Sequence, residues 1–144
     1  MTHLASPPTG RPLLQHGDAE SAELGSSPIP AAQVLDGSPD AAMVTLTCVE
    51  GVGTGVWETS AGRFDWYYGS EEVIHVLDGE AHLIDDHGNH FSLSAGSVAH
   101  FSAGTHIVWD VPVYVRKLFV TLPADPISRA ARALRRLALR VLRR

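Results

Sequence analysis

Five side chains in the middle of this chain could share one piece of chemistry: Trp66, Tyr68, Glu72, Trp109 and Lys117. A carboxylate turned toward apolar surroundings is costly unless it is paired or protonated, so Glu72 is the strongest candidate for a functional group. It could bind a donor on a small molecule or act as a general base. It could equally be held in a structural ion pair, or by a hydrogen bond to Tyr68. Lys117 is the most plausible internal cation. Strand alternation turns either Arg116 or Lys117 inward, and the sequence does not choose between them. Trp66, Tyr68 and Trp109 could line a pocket for a flat or ring-shaped ligand, or could be ordinary core aromatics; Trp57, further upstream, reads as core.

The elements that must position these residues are short and β-forming. From Ala41 onward, AMVTLTCVE, GTGVWETS, RFDWYY, EVIHVLD, EAHLID, HFSLS, VAHFS, HIVWD and VYVRKLFVT recur every eight to twelve residues, separated by Gly, Asp, Asn or Pro. That rhythm predicts an all-β sandwich or closed barrel. Asp78-Gly79 is a preferred two-residue hairpin turn, predicting that Leu77 faces Glu80, His75 faces His82 and Glu72 faces Asp85. Glu72, Ile74, Val76, Ala81 and Leu83 then share an inner face. On the opposite face His75 and His82 would be neighbours. Two ligands seldom hold a metal, so this face reads as polar surface or subunit interface. His87 and His90 fall in the DDHGNH turn. Cys48 has no local partner and reads as a buried, inert thiol.

The 144 residues suit one domain. A lone cysteine, no secretory leader and no run of about 20 apolar residues point to a cytoplasmic protein. The net charge of −5 conceals a division. Residues 1–124 carry four basic and fifteen acidic side chains, and residues 125–144 carry seven arginines and one acid. So acidic a body argues against nucleic acid as a partner. Residues 1–33, rich in Pro, Gly, Ser and Ala, read as a flexible arm, and residues 34–122 as the barrel. Residues 123–144 read as a basic amphipathic helix, with Ile127, Ala131, Leu134, Ala138 and Val141 on one stripe and arginines opposite. Such a helix could pack on its own barrel, on a partner subunit, or on an anionic membrane through residues 126–144. The acidic barrel favours docking within the protein or dimer.

The spacing Trp66-x-Tyr68-x3-Glu72-x6-Gly79, then Gly96-x7-Gly104, Trp109 and Val115-Arg116-Lys117, resembles the small single-domain cupins. The resemblance runs from about Val34 to Val120. It is nearest the ureidoglycine aminohydrolase cupin-domain type and is also similar to the ethanolamine-utilisation cupins. It implies a double-stranded β-helix, usually dimeric, with a ligand pocket inside. Metal-binding cupins supply a His-x-His pair, a Glu and a later His. Here those positions hold Trp66, Tyr68, Glu72 and Ile107, and Ser102 replaces the turn proline. One donor of four implies a barrel that holds no metal tightly, with a divalent metal disfavoured. Two functions follow: a binding protein for a small polar metabolite, or an aminohydrolase- or isomerase-like enzyme on a nitrogen-containing or carbohydrate-like one.

Overall fold

A computed structural model describes residues 10–123 and, beyond them, only positions 134, 137, 138 and 141. Among the described residues eight strands follow in chain order: β1 (Gly25–Ser26), β2 (Val34–Gly37), β3 (Ala41–Val49), β4 (Val52–Tyr67), β5 (Glu71–Ile84), β6 (His90–Ser94), β7 (Val98–Phe101) and β8 (His106–Leu122). A single 3-10 turn, Ala31–Gln33, precedes β2. Every pairing among them is antiparallel.

Three long strands, β4, β5 and β8, hold the structure together. The first half of β4 pairs with β3 and the last half of β8, which pairs in turn with the first half of β5; β7 closes that layer. The second half of β4 pairs with β2 and the first half of β8, which pairs with the second half of β5; β6 closes the other layer. Each long strand therefore bends from one layer into the other, and the core lies between them. Phe64, Trp109, Leu83, Ile74, Val76 and Val115 form its buried centre. Fully burying each such side chain contributes about 1.5–3 kcal/mol.

The bends correct the strand pattern read from the sequence. Asp78-Gly79 is not a hairpin turn but lies within β5. Leu77 is not opposite Glu80, nor Glu72 opposite Asp85, and His75 and His82 are not neighbours. His75 faces Leu118 and Val98, whereas His82 faces Asp110 and Ser92. The expected inner face nevertheless stands, with Ile74, Val76, Ala81 and Leu83 all buried. The ladder slips by one residue between Val76 and Asp78, and a bulge shifts the side-chain phase by one, as a two-residue turn would. Likewise GTGVWETS and RFDWYY form one strand, as do HIVWD and VYVRKLFVT.

The described part of the N-terminal arm lies along the barrel. Gly25–Ser26 pairs with β3, Ile29 enters the core, Gln15 accepts a hydrogen bond from the Cys48 amide at 2.9 Å, and Arg116 donates to the Ala19 carbonyl at 2.8 Å. The basic amphipathic helix expected over residues 123–144 falls almost wholly outside the described residues and is not borne out. Leu134, Leu137 and Val141, on its expected stripe or beside it, are exposed. Among the described residues no helix is long and apolar enough to cross a membrane.

Gly79 has φ of 77°, and a Cβ there would lie 2.0 Å from the Tyr114 carbonyl oxygen of β8. Gly88 has nearly the same φ but open space around it. Gly79→Ala is expected to lower the unfolding free energy in urea by at least about 2 kcal/mol, and Gly88→Ala by only about 1 kcal/mol, the cost of the left-handed backbone alone.

Candidate ligand-binding site

On the inner face of β8, Val115, Lys117 and Phe119 are buried in alternation, while Arg116 points outward to Glu58 and the Ala19 carbonyl. This resolves the inward residue as Lys117. It stands on the middle strand of a row, with Trp57 of β4 on one side and Val76 of β5 on the other. Its Nζ donates to Glu72 Oε2 at 3.1 Å, and the two side chains are 6% and 14% exposed. The same nitrogen lies 4.9 Å from the ring centres of both Trp57 and Trp109. Two desolvated indole faces and one carboxylate thus offset the cost of enclosing a charge.

Burial lowers the Lys117 pKa, and the charge and hydrogen bond of Glu72 recover only part of that shift. Tyr68 stacks on Phe101 at 4.4 Å, and its oxygen accepts a hydrogen bond from Trp109 Nε1 at 3.2 Å. Burial, reinforced by the Glu72 charge, pushes the Tyr68 phenol well above its ordinary value, so it stays protonated. Trp66 completes the aromatic group, 6.0 Å from Trp57 and 6.2 Å from Phe64.

A cavity of about 310 Å³ opens over the pair, walled by Trp57, Trp66, Glu72, Lys117, Met43 and Phe119. Of the five residues singled out from the sequence, Trp66, Glu72 and Lys117 meet on this wall. Trp109 supports Lys117 from behind, and Tyr68 supports Trp109. Trp57, assigned to the core alone, is buried and also forms part of the wall. The inward alternation of Trp57 and Thr59 could have shown this. Cys48, expected to be buried, is exposed and stands at the cavity rim. A second cavity of about 380 Å³ between β6 and β7, walled mainly by Leu83, Phe91, Val98, Phe101 and Ile107, contains neither Glu72 nor Lys117.

Glu72, Lys117, Trp57 and Trp66 lie within the part of the chain that matches a known family, whereas Met43, Thr45, Cys48 and Thr121 of the same cavity lie outside it. Residues 49–119 match the family model described as the EutQ-like cupin domain. The fold is of the cupin type. A protein named acetate kinase EutQ, from Clostridioides difficile strain 630, is 36% identical over 74 residues, 51% of this chain and 46% of that protein. The chain thus spans about half the length of this curated relative. The solved structure of the Clostridium difficile EutQ protein is 33% identical, with a TM-score of 0.55 over 61% of this chain and 66% of that one. A putative ethanolamine utilisation protein from Salmonella typhimurium LT2 shares the fold, with a TM-score of 0.54, 24% identity, and 72% and 96% of the two chains covered. These likenesses support the cupin superfamily with EutQ-like relatives, and not the narrower ureidoglycine aminohydrolase type.

The donors present here do not fit the metal site that the cupin fold implies. By the resemblance read from the sequence, Trp66, Tyr68 and Ile107 would take three of the four positions, and Glu72 is engaged by Lys117. Among the described residues no group of three or more His, Cys, Asp or Glu side chains converges as metal ligands would. His82 is near a different histidine from the one expected, its Nε2 lying 2.9 Å from His90 Nδ1.

The sequence also gave no sign of a clasp on the outer face. His106 is held by Asp65 Oδ1 at 2.6 Å and Asp86 Oδ1 at 2.9 Å, under the Tyr67 ring. Burial pulls the His106 pKa down, but the hydrogen bonds and charges of the two aspartates outweigh it, and the net shift is upward. A raised folded-state pKa gives stability that is full below about pH 6.5 and fades as pH rises through the folded value. The melting temperature lost in His106→Asn should therefore be largest near pH 6 and shrink toward pH 8.5. A loss that does not vary with pH would rule out a charged clasp.

Proposed function

We infer that this cupin domain binds a small polar metabolite in the barrel interior, over Glu72 and Lys117, without a tightly held conventional cupin metal. The observation that carries the reading is the ion pair on the wall of a mainly apolar, tryptophan-lined cavity. Lys117 has three N–H donors and gives one to Glu72, so its remaining donors and the second carboxylate oxygen are available to a ligand's polar end. Trp57 and Trp66 would cover the ligand's apolar part. Tyr68 and Trp109 set the floor on which the pair rests. In this reading the domain works in the cytoplasm as a homodimer, and the charge contrast between its acidic barrel and its arginine-rich end supports contact between the two.

The alternative is an enzyme acting on a small nitrogen-containing or carbohydrate-like metabolite, with Glu72 as its catalytic group. The name of the Clostridioides difficile relative adds acetate as a candidate substrate. Tryptophan fluorescence of the purified chain should respond saturably to one class among small carboxylates, amino acids, amides and polyols. Trp66→Ala should weaken that binding at least tenfold, about 1.4 kcal/mol. A stoichiometric transition metal that is lost in Glu72→Ala would overturn the metal-free reading. Turnover of acetate with ATP would favour the enzyme.

A further inference from the structure

Lys117 is the sole lysine of the chain; the ten other basic residues are arginines. An arginine would serve a purely structural ion pair, with more hydrogen bonds and a permanent charge. A lysine differs in one chemical respect, because its nitrogen can give up a proton and become a nucleophile. The position of this nitrogen suits that use. It lies on the wall of the 310 Å³ cavity rather than in solid core, 3.1 Å from a carboxylate able to carry protons, with indole rings on two sides.

We propose that Lys117 captures a small neutral aldehyde in the cavity as an imine, with Glu72 as the proton carrier. This rests on the reading of the cavity as a ligand pocket, and adds to it a covalent bond and a chemical class. The ammonium gives one proton to Glu72, and the free nitrogen attacks the carbonyl carbon. The carbon–oxygen π electrons move to oxygen, which takes the proton back from Glu72. Glu72 then removes a second proton from nitrogen and returns it to the hydroxyl as that group leaves as water. The sum is ammonium plus aldehyde to protonated imine plus water, with no oxidant or reductant. The burial that lowers the Lys117 pKa eases the first step.

The cavity wall selects the class. Among the described residues Lys117 is its sole cation. Once that nitrogen is bound to carbon, no second cation remains for the carboxylate of a keto acid, and Glu72 would repel it. Met43, Trp57, Trp66 and Phe119 give the rest of the wall its mainly apolar surface, with Thr45, Thr121 and Cys48 beside them, and suit a short alkyl chain. The volume is at the low end for ligand pockets, about 300–1,000 Å³, and restricts that chain's length.

The test is reductive trapping on the whole chain at pH 7, with butanal and sodium cyanoborohydride, followed by peptide mass mapping. Nα-acetyl-lysinamide serves as the reference amine. Lys117 should be alkylated at least tenfold faster than the reference, and the advantage should vanish in urea. Glu72→Gln should slow the trapping, and Lys117→Arg, which keeps the charge, should leave that segment unmodified. Trapping no faster than the reference, or faster only after unfolding, would overturn the proposal. Equal trapping of pyruvate would overturn the choice of a neutral aldehyde. Butyramide, which cannot form the imine, separates this idea from the pocket reading. Tryptophan quenching by butyramide without trapping of butanal would refute the imine alone, and the failure of both would refute both.

Discussion

Enclosing a lysine ammonium between indole rings is costly unless a counter-charge is enclosed with it. In this barrel Glu72 supplies that counter-charge to Lys117, and much of the inner architecture serves the pair. β8 runs between β4 and β5 in both layers, so a residue at its centre has a neighbour strand on each side. Position 117 lies beside Trp57 on one strand and, along the other, within reach of the carboxylate at the start of β5. Trp109, earlier on β8 itself, adds the second indole face. Remove either charge and the other is left in surroundings that do not solvate it, a loss of about 3–5 kcal/mol for a fully buried pair and less for one that borders a cavity.

The same pair bears on the donors that the sequence comparison finds replaced. In a metal-binding cupin the glutamate at this position faces a cation gripped also by histidines. Here Glu72 faces a cation as well, but one fixed covalently to β8. Trp66 and Tyr68, which the sequence resemblance aligns with histidines, supply aromatic surface and a protonated phenol. In the proposed reading the interior would hold an organic molecule rather than an ion.

Much of this was legible in the sequence, and the failures have a common physical cause. Alternation within each segment identified the inner faces, so Ile74, Val76, Ala81 and Leu83 are where they were expected. Turn chemistry was misleading at the bends. Ala61-Gly62, Asp78-Gly79 and Pro112 look like turns between short strands, yet each lets one long strand pass from layer to layer. Gly79 is needed there because the Tyr114 carbonyl leaves no room for a side chain. Arg116 and Lys117 could not be told apart, because alternation within β8 fixes only that they face opposite ways. The choice depends on which face meets Trp57 and Glu72 on other strands. The Asp65–His106–Asp86 clasp joins residues up to 41 positions apart, a distance over which no local pattern carries information.

The most direct test uses the fact that the chain has one lysine. Protein labelled with isotopic lysine gives a single side-chain spin system in solution NMR. The account predicts Hε protons shifted upfield by the two indole faces, nuclear Overhauser contacts to both Trp57 and Trp109, and a titration midpoint below that of free lysine. A lysine with random-coil shifts, no contact with either indole and an ordinary midpoint would contradict the account at its centre.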